Sequence, residues 1–205
     1  MDNFSIYGSH LPEMHKVMEE MLRRIDQYRD HMKNETGTDP VDHTLSRIKS
    51  EESMREKCRR RGFPETTESA LSEIHDAIGI RIVCPFVNDV YSVIGYLHSF
   101  SDCQVTEEKD YIRHAKPNGY RSYHIILHVR ESYFVEVQLR TVSMDTWAAL
   151  EHQLKYKKEV QNQNLIEQEL KRCADELAST DASMQTIRDM IHEEAGNMDM
   201  SEGYQ

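Results

Sequence analysis

The amino-acid sequence predicts an α+β fold: a mixed sheet flanked by helices, with helical extensions at both ends. Three observations predict it. Apolar residues recur at spacings of three and four over residues 11–33 and again beyond 144. Period-two runs occupy 77–84, 123–130 and 133–140, and Asn/Asp, Gly or Pro punctuate the segments between them. The chain has 205 residues, 30% charged and 38% hydrophobic, which suits one packed domain with a helical appendage. No window approaches the ~20 apolar residues of a membrane span. The opening MDNFSIYGSH lacks a basic segment followed by an apolar core, so no secretory signal is expected. Cys58, Cys84, Cys103 and Cys173 are scattered without a CxxC pair, so reduced thiols in a cytoplasm are expected rather than disulfides or zinc.

Each element follows in order. Leu11, Met14, Met18, Met21, Ile25, Tyr28 and Met32 form a narrow apolar stripe, so 11–33 reads as a helix. The stripe suits packing on its own domain, or a seam for a partner helix. Gly37 and Pro40 break that helix, and a second is expected over about 48–61, ending at Gly62 and Pro64. AIGIRIVC (77–84) sets Ile78, Ile80 and Ile82 on one face of a buried strand. NDVYSVIGYLHSF (88–100) starts on Asn/Asp and continues with helical spacing. CQVTEEKDYI gives a short strand, and YHIILHVR and YFVEVQLR form an antiparallel hairpin about Glu131-Ser132. MDTWAALEHQLKYKK begins a helix, one or two more fill 160–195, and the last ten residues read as a tail.

Chemistry concentrates in three places. Glu136, Gln138 and Arg140 share one face of the last strand while Val135, Val137 and Leu139 face the core. A half-exposed edge strand would look the same. Asp76, however, opens a neighbouring strand, and magnesium uses one or two carboxylates plus phosphate oxygens. Lys49, Ser53 and Lys57 are spaced i, i+4, i+8 on the expected second helix, with Arg47 before them and Arg60 or Arg61 a turn beyond. That face is either a triphosphate cradle or a solvated stripe paired with Glu51, Glu52 and Glu56. The third place is RHAKPNGYRSYH. Tyr120 offers a stacking ring, Lys116, Asn118 and His124 offer donors, and Gly119 permits close backbone approach, although Asn-Gly alone also makes a turn. His75-Asp76 on its own does not make a phosphohydrolase site, which needs further His and Asp ligands.

The net charge is −11, and residues 159–205 hold 11 acidic against 3 basic residues. A globally acidic protein with one basic concavity suits a small phosphorylated ligand better than a long nucleic acid, so no stable nucleic-acid partner is expected.

In order along the chain, RIKSEESMREK, DAIGIRIV, KDYIRHAKPNGYRSYH and EVQLRTVSMDTWAALEH resemble the synthetase domain of the RelA/SpoT family, over about residues 40–158. The length is similar to that of the small alarmone synthetases. The resemblance divides the chain into a helical extension (1–40), a synthetase domain (41–158), and acidic helices with a tail (159–205). It implies a nucleotidyltransferase-like fold and transfer of the β,γ-diphosphate of ATP to the 3′-hydroxyl of GDP or GTP, releasing AMP, in stringent-response signalling. It implies that Asp76 and Glu136 hold Mg2+ and that Glu136 helps deprotonate the hydroxyl. Arg47 and Arg81 would sandwich adenine, and Lys49, Ser53 and Lys57 would grip the ATP phosphates. Tyr120 would stack on guanine with Lys116 and Asn118 at its edge, and Lys109, His124 and Gln138 would complete the acceptor site. A homotetramer is also implied, with the stripe on the first helix as an assembly surface. DAIGIR departs from the usual Asp-Ile-Ala-Gly-Ile-Arg by exchanging a small and a large residue. His43 and Asp145 replace the aromatic and amide residues of the product-binding cleft, which argues against product activation. Two rival readings are a toxin that modifies the tRNA 3′ end, against which the acidic charge speaks, and a spent nucleotide- or RNA-binding scaffold. The joint presence of Asp76, Glu136, Lys57 and Tyr120 speaks against the latter.

Overall fold

Period-two segments of this chain assemble into one five-stranded sheet. The structure, a computed structural model, describes residues 5–155 and 162–202. The strands are β1 (His43–Ile48), β2 (Ile78–Cys84), β3 (Cys103–Asp110), β4 (Tyr123–Val129) and β5 (Tyr133–Thr141), in the spatial order β1-β2-β5-β4-β3. β2 and β5 pair in parallel at the centre, and the outer pairings are antiparallel. A parallel pair needs a long crossover. Here the chain between β2 and β5 supplies α3 (Val87–His98) and then β3 and β4.

One sheet face makes the core. Ile78, Ile80 and Ile82 lie level with Val135, Val137 and Leu139, and Ile125 and Leu127 continue the layer. All eight are buried, against Met14, Val17, Met21 and Ile25 of α1 (Leu11–Thr36) and Val90, Val93 and Leu97 of α3. Full burial of each such side chain contributes roughly 1.5–3 kcal/mol. The methionine-rich stripe of α1 is therefore spent on the protein's own sheet, and the seam for a partner helix is not found there. Pro12 starts α1, and Gly37, at φ 71°, closes it by donating its N–H to Lys33 O at 3.0 Å.

Two segments differ from the sequence expectation. Residues 43–48 are a strand, and α2 (Glu51–Arg61) begins three residues later than expected. HTLSRI is an edge strand with most of its residues exposed, so it carries no apolar alternation to detect. Ser50 caps α2, accepting the Ser53 N–H at 3.4 Å, with Glu51 and Glu52 in the first turn and Arg59, Arg60 and Arg61 in the last. Lys49 thus precedes the helix and does not share a helical face with Ser53 and Lys57. At the other end, α5 is one helix, Gln163–Glu202, so most of the expected tail continues it. The end of the preceding helix, expected to run to Lys158, is described only to Lys155, where α4 (Val142–Lys155) stops.

Candidate active site

The opposite sheet face carries the polar residues. Register sets Arg47 beside Gly79, Gly79 beside Glu136, Arg81 beside Gln138, and His124 beside Gln138. A bulge at Thr106 brings Glu107 level with Ile126 and Lys109 level with His124, on this same face. The two preceding alternate positions, Cys103 and Val105, pack against the core instead. One extra residue thus re-aims half of β3.

Asp76 sits just before β2, after a short π-helical turn (Ser69–Glu73) and the buried Ile74. Lys57 of α2 reaches its Oδ2 at 2.5 Å and Lys49 at 3.1 Å. Burial raises the Asp76 carboxyl, but Lys57 and then Lys49 overcome it and hold the group below its ordinary value. Its Oδ1 is buried and meets no hydrogen-bond partner among the described residues. Lys49 is itself fixed at both ends of its peptide. Its N–H donates to Ala77 O at 2.8 Å, and its carbonyl accepts the hydroxyl of the buried Tyr7 at 2.6 Å.

Glu136 is held differently. His124 Nδ1 lies 3.3 Å from Oε1, and Gln138 donates to Oε2 at 3.0 Å. Burial raises this carboxyl, and the His124 and Gln138 contacts bring it below its ordinary value, with Asp76 opposing them. Two hollows adjoin along these carboxylates, and both are lined by Asp76 and Glu136. One is completed by Arg47, Lys49, Arg81 and Gln138, with Leu45 and Gly79. The other is completed by Lys57, Arg61, Lys109 and His124, with His75 and Glu107. Magnesium is satisfied by one or two carboxylates when phosphates supply the rest, so the bare Oδ1 beside Glu136 fits such an ion.

Most of the expected site residues meet on this face. Arg47, Lys49, Asp76, Arg81, Glu136 and Gln138 share the first hollow, and Lys57, Lys109 and His124 reach the second. Lys109 is paired with Glu107. Ser53 is exposed and bonded to Ser50 Oγ at 2.9 Å, and it lines neither hollow. Asn118 turns to α4, donating to Glu151 Oε1 at 3.2 Å while its Oδ1 accepts the Tyr120 N–H at 3.2 Å. Lys116 lies over the Tyr120 ring, 4.9 Å from its centroid. Tyr120 Oη lies 2.8 Å from His124 Nε2, which couples the loop to Glu136.

Three contributors escaped the sequence reasoning. Arg140 was read only as sharing the Glu136 face, yet it is buried and central. It donates to Tyr120 Oη at 2.7 Å, Gln138 Oε1 at 3.2 Å and Asp145 Oδ1 at 3.0 Å. Asp145 also pairs with Arg81 at 3.2 Å, so one carboxylate stands between an arginine of the first hollow and the guanidinium that holds Tyr120. Leu45 is 49% exposed and gives the first hollow an apolar wall. Period-two phase from Glu136 points to Arg140, and only the missed strand could have pointed to Leu45.

The chain is similar to known proteins along most of its length. Residues 46–161 match the family model described as a region found in RelA / SpoT proteins. The chain is 40% identical over 159 residues to the GTP pyrophosphokinase YwaC of Bacillus subtilis, covering 74% of this chain and 76% of that protein. To the GTP pyrophosphokinase YjbM of the same organism it is 30% identical over 185 residues, covering 87% and 86%. The fold matches the crystal structure of the small alarmone synthetase 1 from Bacillus subtilis bound to its product pppGpp with a TM-score of 0.76. Identity there is 29%, and 87% of this chain and 94% of that one are covered.

Proposed function

The chain belongs to the RelA/SpoT family, and on that premise we propose that it is a small alarmone synthetase, a GTP pyrophosphokinase that makes (p)ppGpp. It transfers the β,γ-diphosphate of ATP to the ribose 3′-hydroxyl of GDP or GTP and releases AMP. The observation that carries this reading is the pair of cation-lined hollows sharing Asp76 and Glu136 as a common wall. Two polyanions held on either side of two carboxylates is the arrangement an in-line transfer needs.

The first hollow takes the donor. Arg47 and Arg81 flank the adenine, Leu45 adds an apolar surface, and Lys49, with Lys57 from the second hollow beside the shared Asp76, neutralises phosphate charge. The second hollow and the loop over 116–121 take the acceptor. Tyr120 stacks on guanine once Lys116 swings off its ring, and Lys109, His124 and Arg61 face the acceptor phosphates. Gln138 orients Glu136. The 3′-oxygen then bonds to the β-phosphorus while the bond from that phosphorus to the α-phosphate oxygen breaks. The hydroxyl proton passes to Glu136, and the electron pair leaves with AMP. Asp76 and Glu136 are the residues that would hold magnesium, which when bound offsets charge on the transferred group.

Ser53 and Asn118 act indirectly in this scheme, as helix cap partner and loop brace. A cytoplasmic location fits the free cysteines, and no helix among the described residues is long and apolar enough to cross a membrane. A homotetramer remains the assembly we propose. What supports it is the exposed apolar side chains that α4 and α5 carry, among them Leu150, Leu154, Leu165, Ile187 and Ile191.

The test is transfer of label from β,γ-labelled ATP with magnesium, offering GDP, GTP, GMP and deacylated tRNA, with Glu136→Gln as control. Label on a guanine nucleotide, lost in the variant, supports the reading and ranks the acceptors. Label on tRNA alone would overturn it.

A further inference from the structure

We infer that α5 is the seat of the acceptor loop, and that Ala174 and Asp175 are positioning residues that set the affinity for the acceptor nucleotide. This deepens the reading above and rests on residues 116–121 receiving the guanine base.

The loop folds back on itself. The Gly119 N–H donates to Lys116 O at 2.8 Å, and the Lys116 N–H to Tyr120 O at 3.1 Å. Gly119 has φ 91°, a region that favours glycine, and its bare α-carbon lies directly on α5. A Cβ there would stand 2.7 Å from Ala174 Cβ and 3.3 Å from Lys171 Cα. Both partners must therefore be small, and the fit is two-sided.

Arg121 ties the same contact electrostatically. Its Nη1 donates to Gly119 O at 3.1 Å and to Ala174 O at 3.3 Å, and its Nη2 donates to Asp175 Oδ1 at 2.9 Å. A single guanidinium thus joins loop backbone, helix backbone and a helix carboxylate. The seat is anchored on both sides. Trp147 Nε1 donates to Leu170 O at 2.8 Å, fixing α5 to α4. Thr141 Oγ1 donates to the buried Asp181 Oδ2 at 2.6 Å, fixing α5 to the end of β5 beside Arg140. Tyr120 therefore stands between two supports: Gly119 pressed on α5, and Arg140 on its hydroxyl.

The family match ends at residue 161, before α5 begins. The loop that receives the acceptor is thus braced by a segment outside the matched region. Neither Ala174 nor Asp175 lines the hollows at the carboxylates. Their effect on turnover runs through the placement of Tyr120.

The experiment is steady-state kinetics of Ala174→Leu, Asp175→Asn and Asp175→Glu in the full chain, with Tyr120→Ala as reference. Thermal midpoints and GDP binding by calorimetry are measured alongside. Ala174→Leu is expected to raise the KM for GDP about tenfold, with the KM for ATP unchanged. Asp175→Asn is expected to raise it about threefold, the smaller effect reflecting an exposed pair, and Asp175→Glu to restore most of it. Calorimetric affinity for GDP should fall by the same factors. Unchanged GDP kinetics in both helix variants, while Tyr120→Ala raises the GDP KM, would overturn the inference and leave the acceptor reading standing. So would a parallel rise in both KM values with a lowered thermal midpoint in each variant. An unchanged GDP KM in Tyr120→Ala would overturn the acceptor reading, and this inference with it.

Discussion

Lys57 Nζ lies 2.5 Å from Asp76 Oδ2, while Asp76 Oδ1 is buried without a hydrogen-bond partner among the described residues. The carboxylate is saturated on one side and bare on the other. Removing the lysine in Lys57→Met should lower kcat by at least about tenfold, because one of the two cations that neutralise charge at the reacting centre is lost and only Lys49 is left on Asp76. It should also move the acid limb of the pH–rate profile. Lys57 is part of what keeps the Asp76 carboxyl below its ordinary value, so the wild-type group stays ionised until the pH falls through that depressed value. Without Lys57 the carboxyl rises, and activity is lost at a higher pH as acid is added. The kcat/KM profile of the two proteins on the acid side measures the displacement.

Glu136→Gln keeps the shape of the side chain and removes the proton acceptor. Turnover is expected to fall by about 10³-fold or more, with ATP affinity within a few-fold of wild type. Transfer of label to GDP reads the first quantity, and calorimetric titration of ATP reads the second. Retained turnover would remove Glu136 from the mechanism.

Tyr120→Ala should chiefly raise the GDP requirement, and an effect confined to ATP would contradict the stacking role. Arg140→Lys probes the support of the same ring. Lysine keeps the charge but cannot span Tyr120 Oη at 2.7 Å and Asp145 Oδ1 at 3.0 Å at once. The KM for GDP is expected to rise about tenfold, and Tyr120→Phe, which removes only the hydroxyl, should reproduce part of that rise.

Away from the site, Arg24 of α1 forks onto Asp102, Nη1 to Oδ1 and Nη2 to Oδ2, each at 2.7 Å. The Arg24 hydrogen bonds take the Asp102 carboxyl from 3.8 down to about 2, against a smaller opposing effect of burial. A depressed carboxyl stabilises the fold above its unfolded value, and the contribution disappears as pH falls through the folded one. Allowing for solvent screening, Asp102→Asn should cost about 1 kcal/mol at neutral pH. The gap between variant and wild type should close as pH drops from about 4 towards 2. Urea unfolding at pH 7 and at pH 3 provides the comparison.

What could be read in the sequence was governed by how strongly burial imposes a period. Ile78, Ile80 and Ile82, and Val135, Val137 and Leu139, are wholly or nearly buried, and their alternation announced both central strands and the phase that sets Glu136 on the opposite face. β1 was illegible because an exposed edge strand has no apolar face to show, and its omission displaced Lys49 onto a helix it does not join. Arg140 sat in plain phase with Glu136, but burial of a guanidinium depends on partners such as Asp145 and Tyr120, 5 and 20 residues away. The hold of α5 on Gly119 links segments more than 50 residues apart, and no local pattern encodes it.

The extra residue at Thr106 has an evolutionary consequence. Cys103 and Val105 meet the core, whereas Glu107 and Lys109 meet the polar hollow, although all four stand at even spacing in the chain. Because the bulge takes up Thr106, the residues beyond it keep their places against β4, Glu107 level with Ile126 and Lys109 level with His124. A strand built this way can gain a residue without losing its ligand-facing surface, since the insertion is taken up where it occurs. Deleting Thr106 should straighten the strand and leave Lys109 opposite His124, whereas deleting Glu108, beyond the bulge, would set Lys109 against Ile125 and turn it inward.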